Sequence, residues 1–286
     1  MQKLGPMSLV PVAVIVAAAI FFLTPLRISM AFYPLVRQAA QAKMEYETRN
    51  FTVVETPHFA VRYSDGDNEM AQLVAQAAEQ AYQPVTTMLG REPNSKTLIV
   101  MYPDRSELRK AFGWSGDESA MGVYWGGVIQ VLSPRDWMKS GVSANEFSRS
   151  GPMVHEFTHL VFDHLTQGNY PRWFTEGLAQ YAEYTINDYE WLTATNSLSG
   201  HLHTMAELDA SFDDLPNQSL AYRESFAAVR YIAEVHGDDA LRQVIDQLRA
   251  GRKMNQAIQS VLAMNYSEYE QSWQQWAAMN MKHNQK

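Results

Sequence analysis

The chain contains no cysteine. That excludes a disulfide framework, an iron–sulfur cluster, a thiol nucleophile and any zinc held by thiolates. It leaves the compartment open. Clustered basic residues are also missing. Lys and Arg total 23 against 31 Asp and Glu, a net charge of −8, and no basic patch stands out. Nucleic acid is therefore excluded as the expected partner, since phosphate binding draws on grouped Lys and Arg. No internal repeat or low-complexity tract is visible. What is present is ample apolar material: 46% hydrophobic residues over 286 positions suffices for one large domain or two small ones with a packed core.

The longest apolar run lies at the start. Leu9 to Leu23 (LVPVAVIVAAAIFFL) carries no charge, and Lys3 precedes it. A basic start and an apolar run are the marks of an export signal. The run is short for a spanning helix of about 20 residues, but extending it from Met7 to Leu26 reaches that length. Ser29-Met30-Ala31 offers a signal-peptidase site. Residues 1–31 therefore read as a signal anchor or a cleaved signal peptide, and the body as lying outside the cytoplasm, anchored to the membrane or exported. Residues 32–54 read as a juxtamembrane helix or linker.

The remainder, 55–286, changes character part-way. His58–Tyr63, Thr97–Tyr102 and Val128–Leu132 are strand patterns. A helix with apolar residues at 3.6-residue spacing lies between the first two, over Glu69–Leu89, with Gly90 as its stop. Gly113–Gly127 is rich in glycine and aromatics. After Gly151-Pro152 the pattern is helical: Met153–Leu165, Pro171–Tyr184, Ser219–His236, Asp239–Ala250, Asn255–Met264 and Ser267–Met281. The expected class is α+β, with a sheet-containing lobe over about 55–165 and a helical lobe over about 166–286. The first helix of the second half is expected between them.

That helix carries the chemistry. Residues 155–159 read His155-Glu156-Phe157-Thr158-His159, or H-E-x-x-H. Positions i and i+4 share a helix face, so both imidazoles can reach one ion. Glu156, one step round, can take a proton from a water held there as that water attacks a carbonyl. Two imidazoles need a further ligand. Asp163 continues the series on the same helix but lies about 12 Å along the axis from His155, too far for one tetrahedral ion. Leu165 and Phe162 stand where one metalloprotease class has a third histidine and a glycine, which rejects that class. Glu176 is the best candidate: sixteen residues separate it from His159, enough for a turn and the start of a returning helix.

H-E-x-x-H followed by Trp173-Phe174-Thr175-Glu176-Gly177-Leu178-Ala179-Gln180-Tyr181 resembles the gluzincin metallopeptidases, the clan of thermolysin and the zinc aminopeptidases. Within it the chain is most similar to the bacterial peptidase MA-like group. The strand His58–Tyr63, the following helix closed by Gly90, and the segment Tyr222–Ile232 extend the likeness over roughly 55–280. The resemblance implies a zincin-like fold and a zinc metallopeptidase, with an endopeptidase as the expected activity. It implies zinc held by His155, His159 and Glu176, and Glu156 as general base and then proton donor to the leaving amine. A peptide or protein is the implied substrate. Two competing readings use the same residues: a zinc hydrolase of a non-protein amide, and a non-catalytic envelope protein with a peptidase-like fold.

The departures from the pattern are specific. The G-x-M-x-N segment that anchors a free N-terminus in zinc aminopeptidases is missing. Gln180 occupies the place of the acid that orients a ligand histidine in thermolysin-like enzymes, so Asp163 or Glu183 is the candidate to supply that contact. Tyr222 is the candidate oxyanion stabiliser. His201-Leu202-His203 reads as an ordinary loop pair rather than a second metal clamp. The aromatics of 266–276 read as core, and Val128–Leu132 as a cleft-edge strand offered to substrate backbone.

Overall fold

The computed structural model describes residues 26–64, 66–114, 120–138 and 144–281. The apolar run Leu9–Leu23 lies outside them. Among the described residues no helix is long and apolar enough to cross a membrane. The fold is α+β, as expected. The chain forms two compact units: the described residues of Met1–Glu79 and Pro93–Val142, and those of Gln80–Glu92 and Ser143–Lys286.

The first unit holds a five-stranded sheet. Helix α1 (Leu26–Glu47) leads into β1 (Thr52–Glu55) and β2 (Phe59–Tyr63). Helix α2 (Asn68–Leu89) follows, then β3 (Thr97–Tyr102), α3 (Arg105–Phe112), β4 (Gly122–Trp125), β5 (Val128–Leu132) and the single turn α4 (Pro134–Trp137). The strand order is β1-β2-β3-β5-β4. β2, β3 and β5 are parallel, and antiparallel β1 and β4 flank them. Every residue of β3 (TLIVMY) and β5 (VIQVL) is buried. Central parallel strands are covered on both faces, so they read as continuous apolar runs rather than alternating ones. The buried exception, Gln130, accepts the Tyr102 hydroxyl at 3.0 Å.

Val128–Leu132 is not an edge strand, which corrects the sequence reading. It pairs with β3 on one side and with β4 on the other. The edge is β4, hidden in a stretch whose composition is that of a loop. Gly126 and Gly127 join β4 to β5, with φ of 59° and 85°. Positive φ at both central residues is what a two-residue type I′ hairpin requires, and glycine supplies it without strain. The same turn receives α1. A Cβ on Gly127 would lie 2.5 Å from Cγ of Arg37, and Gln41 Nε2 donates to the Gly127 carbonyl at 2.9 Å. Residues read as a juxtamembrane helix or linker therefore form, as far as Glu47, a helix seated on the hairpin. Met44 of that helix also packs against the cluster of Leu98, Val100, Leu108, Val128 and Leu132.

The second unit takes the last turns of α2 and continues with α5 (Ala144–Ser150), α6 (Met153–Thr166), α7 (Arg172–Asn187), α8 (Met205–Ser211), a 3-10 turn (Phe212–Asp214), α9 (Gln218–His236), α10 (Asp238–Arg249), α11 (Met254–Leu262) and α12 (Tyr266–Asn280). Its core is aromatic. Phe157, Phe162, Trp173, Phe174, Phe226, Tyr269 and Trp273 are all buried. The polar ends of two of these rings are satisfied: Trp173 Nε1 donates to Asp209 at 2.6 Å, and the Tyr269 hydroxyl donates to the Ala228 carbonyl at 2.8 Å. Trp273 Nε1, in contrast, is buried with no hydrogen-bond partner among the described residues.

α7 crosses α9 at Gly177, where the two backbones approach directly. A Cβ there would sit 2.2 Å from the Ser225 carbonyl oxygen and 2.6 Å from its carbon. Backbone cannot swing aside as a side-chain tip can. Gly177→Ala is therefore expected to force the helices apart and destabilise the fold by about 1–3 kcal/mol. Chemical denaturation measures it; a stability equal to wild type would mean that the crossing has slack.

Candidate metal centre

α6 begins directly after Gly151-Pro152. Its fourfold spacing puts His155 and His159 on one face, with ring centroids 4.7 Å apart and planes at 77°. A five-residue turn, with Gln167 and Gly168 at positive φ, returns the chain into α7. The contacts between the helices run in opposite order along them. His159 meets Thr175, one turn's length of α6 away from His155, which meets Glu183. The pair is therefore antiparallel, and Glu176 arrives opposite both histidines.

The distances are specific. Glu176 Oε2 lies 3.2 Å from His155 Nε2 and 3.5 Å from His159 Nε2. Ligand atoms of the three side chains all lie within 4.8 Å of one another, and among the described residues this is the one such group of three. A tetrahedral ion with bonds of about 2.05 Å separates its ligand atoms by about 3.3 Å. The two measured separations bracket that value. The donor set, two imidazoles and one carboxylate, is compatible with zinc.

The outer nitrogens of both rings are engaged. His155 Nδ1 lies 2.9 Å from Glu183 Oε2, and His159 Nδ1 lies 2.7 Å from Thr175 Oγ1. Such contacts fix which nitrogen faces the metal. Of the two carboxylates expected for this work, Glu183 meets a histidine. Asp163 accepts the Tyr170 hydroxyl at 2.9 Å. Gln180 plays a different part, because its Nε2 donates to the Tyr222 carbonyl at 2.9 Å and ties α7 to α9. Tyr222 packs edge-on against Phe212 and Trp191, with centroids 5.3 and 6.0 Å away. His203 is held by Glu224 through both its backbone N–H and Nδ1, at 2.7 and 2.6 Å. It pins a loop, as the sequence suggested.

The electrostatics follow from burial and charge. Burial alone would push the His155 pKa down, but the carboxylates of Glu183 and Glu176 overrule it and hold the imidazole well above its ordinary value. Burial would raise the Glu176 pKa; His159, Arg172 and His155 together hold it well below the ordinary carboxylate range. Burial, then the Glu176 charge, pushes the Tyr222 hydroxyl up, so it stays a donor. Glu156 is buried on the same helix, and its charge acts on both Arg172 and Tyr222.

Residues 77–279 match the family model of the peptidase MA superfamily. The chain belongs to that superfamily. An M1 zinc metallopeptidase from Deinococcus radiodurans, crystallised as a mutant, is similar at 13% sequence identity with a TM-score of 0.42; the match covers 79% of this chain and 50% of that one. The peptidase MA chain thus spans half the length of that protein. Nothing among curated proteins matches it.

Two residues of this centre escaped the sequence reading of the peptidase MA chain. Thr175 precedes Glu176 directly, and Arg172 stands four residues before it. The i,i+4 spacing of Arg172 and Glu176 was the available signal. A pH prediction follows from the direction of the His155 shift. A metal ion must displace the proton that His155 retains. Affinity for a metal ion held by His155 is therefore expected to fall on acidification. In Glu183→Gln the anion that favours imidazolium is gone, so the His155 pKa is expected to drop; loss of the contact that orients the ring and raises its basicity is expected to outweigh the relief from proton competition and to weaken metal affinity by about 10–100-fold. NMR titration of His155 in the metal-free protein and chelator competition read the two effects. An unmoved His155 midpoint in Glu183→Gln would remove Glu183 from this role.

Proposed function

We propose that the protein is a zinc-dependent endopeptidase, with His155, His159 and Glu176 as the zinc ligands and Glu156 as the catalytic carboxylate. The observation that carries this reading is the convergence of two imidazole Nε2 atoms and one carboxylate oxygen at separations suited to a tetrahedral ion. Zinc, when bound, acts as a Lewis acid on a peptide carbonyl and lowers the pKa of a water molecule.

The chain's own groups supply the rest. Glu156 takes the proton of the attacking water and returns it to the nitrogen of the leaving amine. With Nε2 of each imidazole turned to the metal, Nδ1–H of His155 donates to Glu183, and Nδ1–H of His159 donates to Thr175. Those bonds keep the rings from turning during the reaction. Tyr222, whose hydroxyl stays protonated, is placed to donate to the oxygen on which negative charge develops. The lack of the segment that anchors a free N-terminus supports cleavage within a chain over removal of its first residue. The apolar run Leu9–Leu23 behind Lys3 supports a catalytic body outside the cytoplasm, carried on a membrane anchor or released.

Glu156→Gln is expected to keep one zinc per chain and to lose peptide hydrolysis by at least about 10²–10⁴-fold. Glu176→Ala is expected to lose zinc. Metal analysis of both variants beside wild type, with a peptide-library assay, tests the reading. Wild-type turnover in Glu156→Gln would reject the mechanism, and a folded, metal-replete wild type without zinc would reject the centre.

A further inference from the structure

Arg172 opens α7, and nothing in the local helix favours it there. The N-terminus of a helix is its positive end, which repels a cation, and no acidic residue stands in the first turn to offset it. Its ion pair with Glu176 also runs in the weaker direction, basic residue before acidic at i,i+4. The guanidinium is half exposed, at 47%, whereas Glu176 is 2% exposed. Solvation of the cation alone would draw it away from the helix. It instead reaches inward over a full turn.

The contacts show what the reach achieves. The two oxygens of Glu176 are divided between partners. Oε1 lies 2.9 Å from Arg172 Nη1. Oε2 lies 3.2 Å from His155 Nε2 and 3.5 Å from His159 Nε2. Arg172 is itself steadied from the side, with Nε 3.5 Å from Asp213 and Nη2 3.5 Å from the Tyr222 hydroxyl.

We propose that Arg172 is a positioning residue that occupies Oε1 of Glu176, so that this carboxylate ligates metal through Oε2 alone. The proposal rests on the reading of the centre given above. A carboxylate can bind a metal through one oxygen or two, and the backbone position of Glu176 does not by itself choose. A guanidinium on Oε1 does choose, because its N–H groups direct their bonds in a fixed plane. Two effects follow. One coordination position that a second carboxylate oxygen would take stays open for water or substrate. The charge of Arg172 also cancels that of Glu176, so the full double charge of the ion acts on whatever enters.

The test uses the full chain loaded with cobalt(II), whose visible bands are strong in four-coordinate sites and weak in five-coordinate ones. Wild type is expected to show the strong bands. Arg172→Gln frees Oε1, so its bands are expected to weaken, and its cobalt affinity to shift by about tenfold or more. Arg172→Lys, which returns a cation to Oε1, is expected to recover most of the wild-type intensity. A fold-stability role alone would change the melting temperature and leave the bands as they are. Arg172→Met reads the same two quantities should the Gln variant not fold. Unchanged bands and affinity in Arg172→Gln overturn the proposal and leave the metal centre standing. A wild-type chain that takes up no cobalt overturns both.

Discussion

A carboxylate almost wholly removed from water organises the helical unit. Isolated, the ionised Glu176 would meet a desolvation cost larger than most folds can carry, and it would take up a proton instead. Three partners prevent that: His155 and His159 from α6 and Arg172 from its own helix. The position of α7 against α6 is therefore set by charge as well as by packing. The aromatic layer behind it, with Phe174 in ring contact with both Phe162 and Trp173, holds that position from the opposite side. The juxtaposition of the three side chains is thus the joint outcome of charge and helix packing.

Gly177 couples packing to the site in a second way. It follows Glu176 directly and lets α9 approach until the backbone of α9 fills the space a side chain would take. That approach brings Tyr222, at the fifth position of α9, toward the charges of Glu176 and Glu156. The ligand set and the oxyanion candidate thus depend on different contacts, one on the α6–α7 turn and the other on a helix crossing.

Much of this is legible in the sequence. The strands Thr97–Tyr102 and Val128–Leu132 read correctly to the residue, because parallel central strands are apolar throughout. The six helices read from Met153 onward come within a few residues of their observed ends, through their periodicity and their Gly stops, whereas the short α8 (Met205–Ser211) goes unread. His155, His159 and Glu176 stand out by motif and spacing, and the structure brings their side chains together. What fails has physical reasons. β4 begins in glycine and ends in a Gly-Gly turn, which by composition is loop. β1 is a short, mostly exposed flanking strand with no apolar alternation. Arg172 has the composition of a solvated helix residue, since its function emerges only when the far oxygen of Glu176 can be seen. Val128–Leu132 reads as an edge because its own edge neighbour carries no strand signal.

The seating of α1 on the β4–β5 turn bears on how the protein can be handled. Among the described residues the helix spans Leu26–Glu47, and its residues Arg37 and Gln41 cover Gly127. Trimming for production without the apolar segment would be tempting at residue 38, where the polar stretch begins. That cut would sever α1 in its middle and strip the cover from a glycine turn whose edge strand has no other neighbour in the sheet. A cut ahead of Leu26 keeps Leu26–Glu47 intact and the Gly126-Gly127 turn covered.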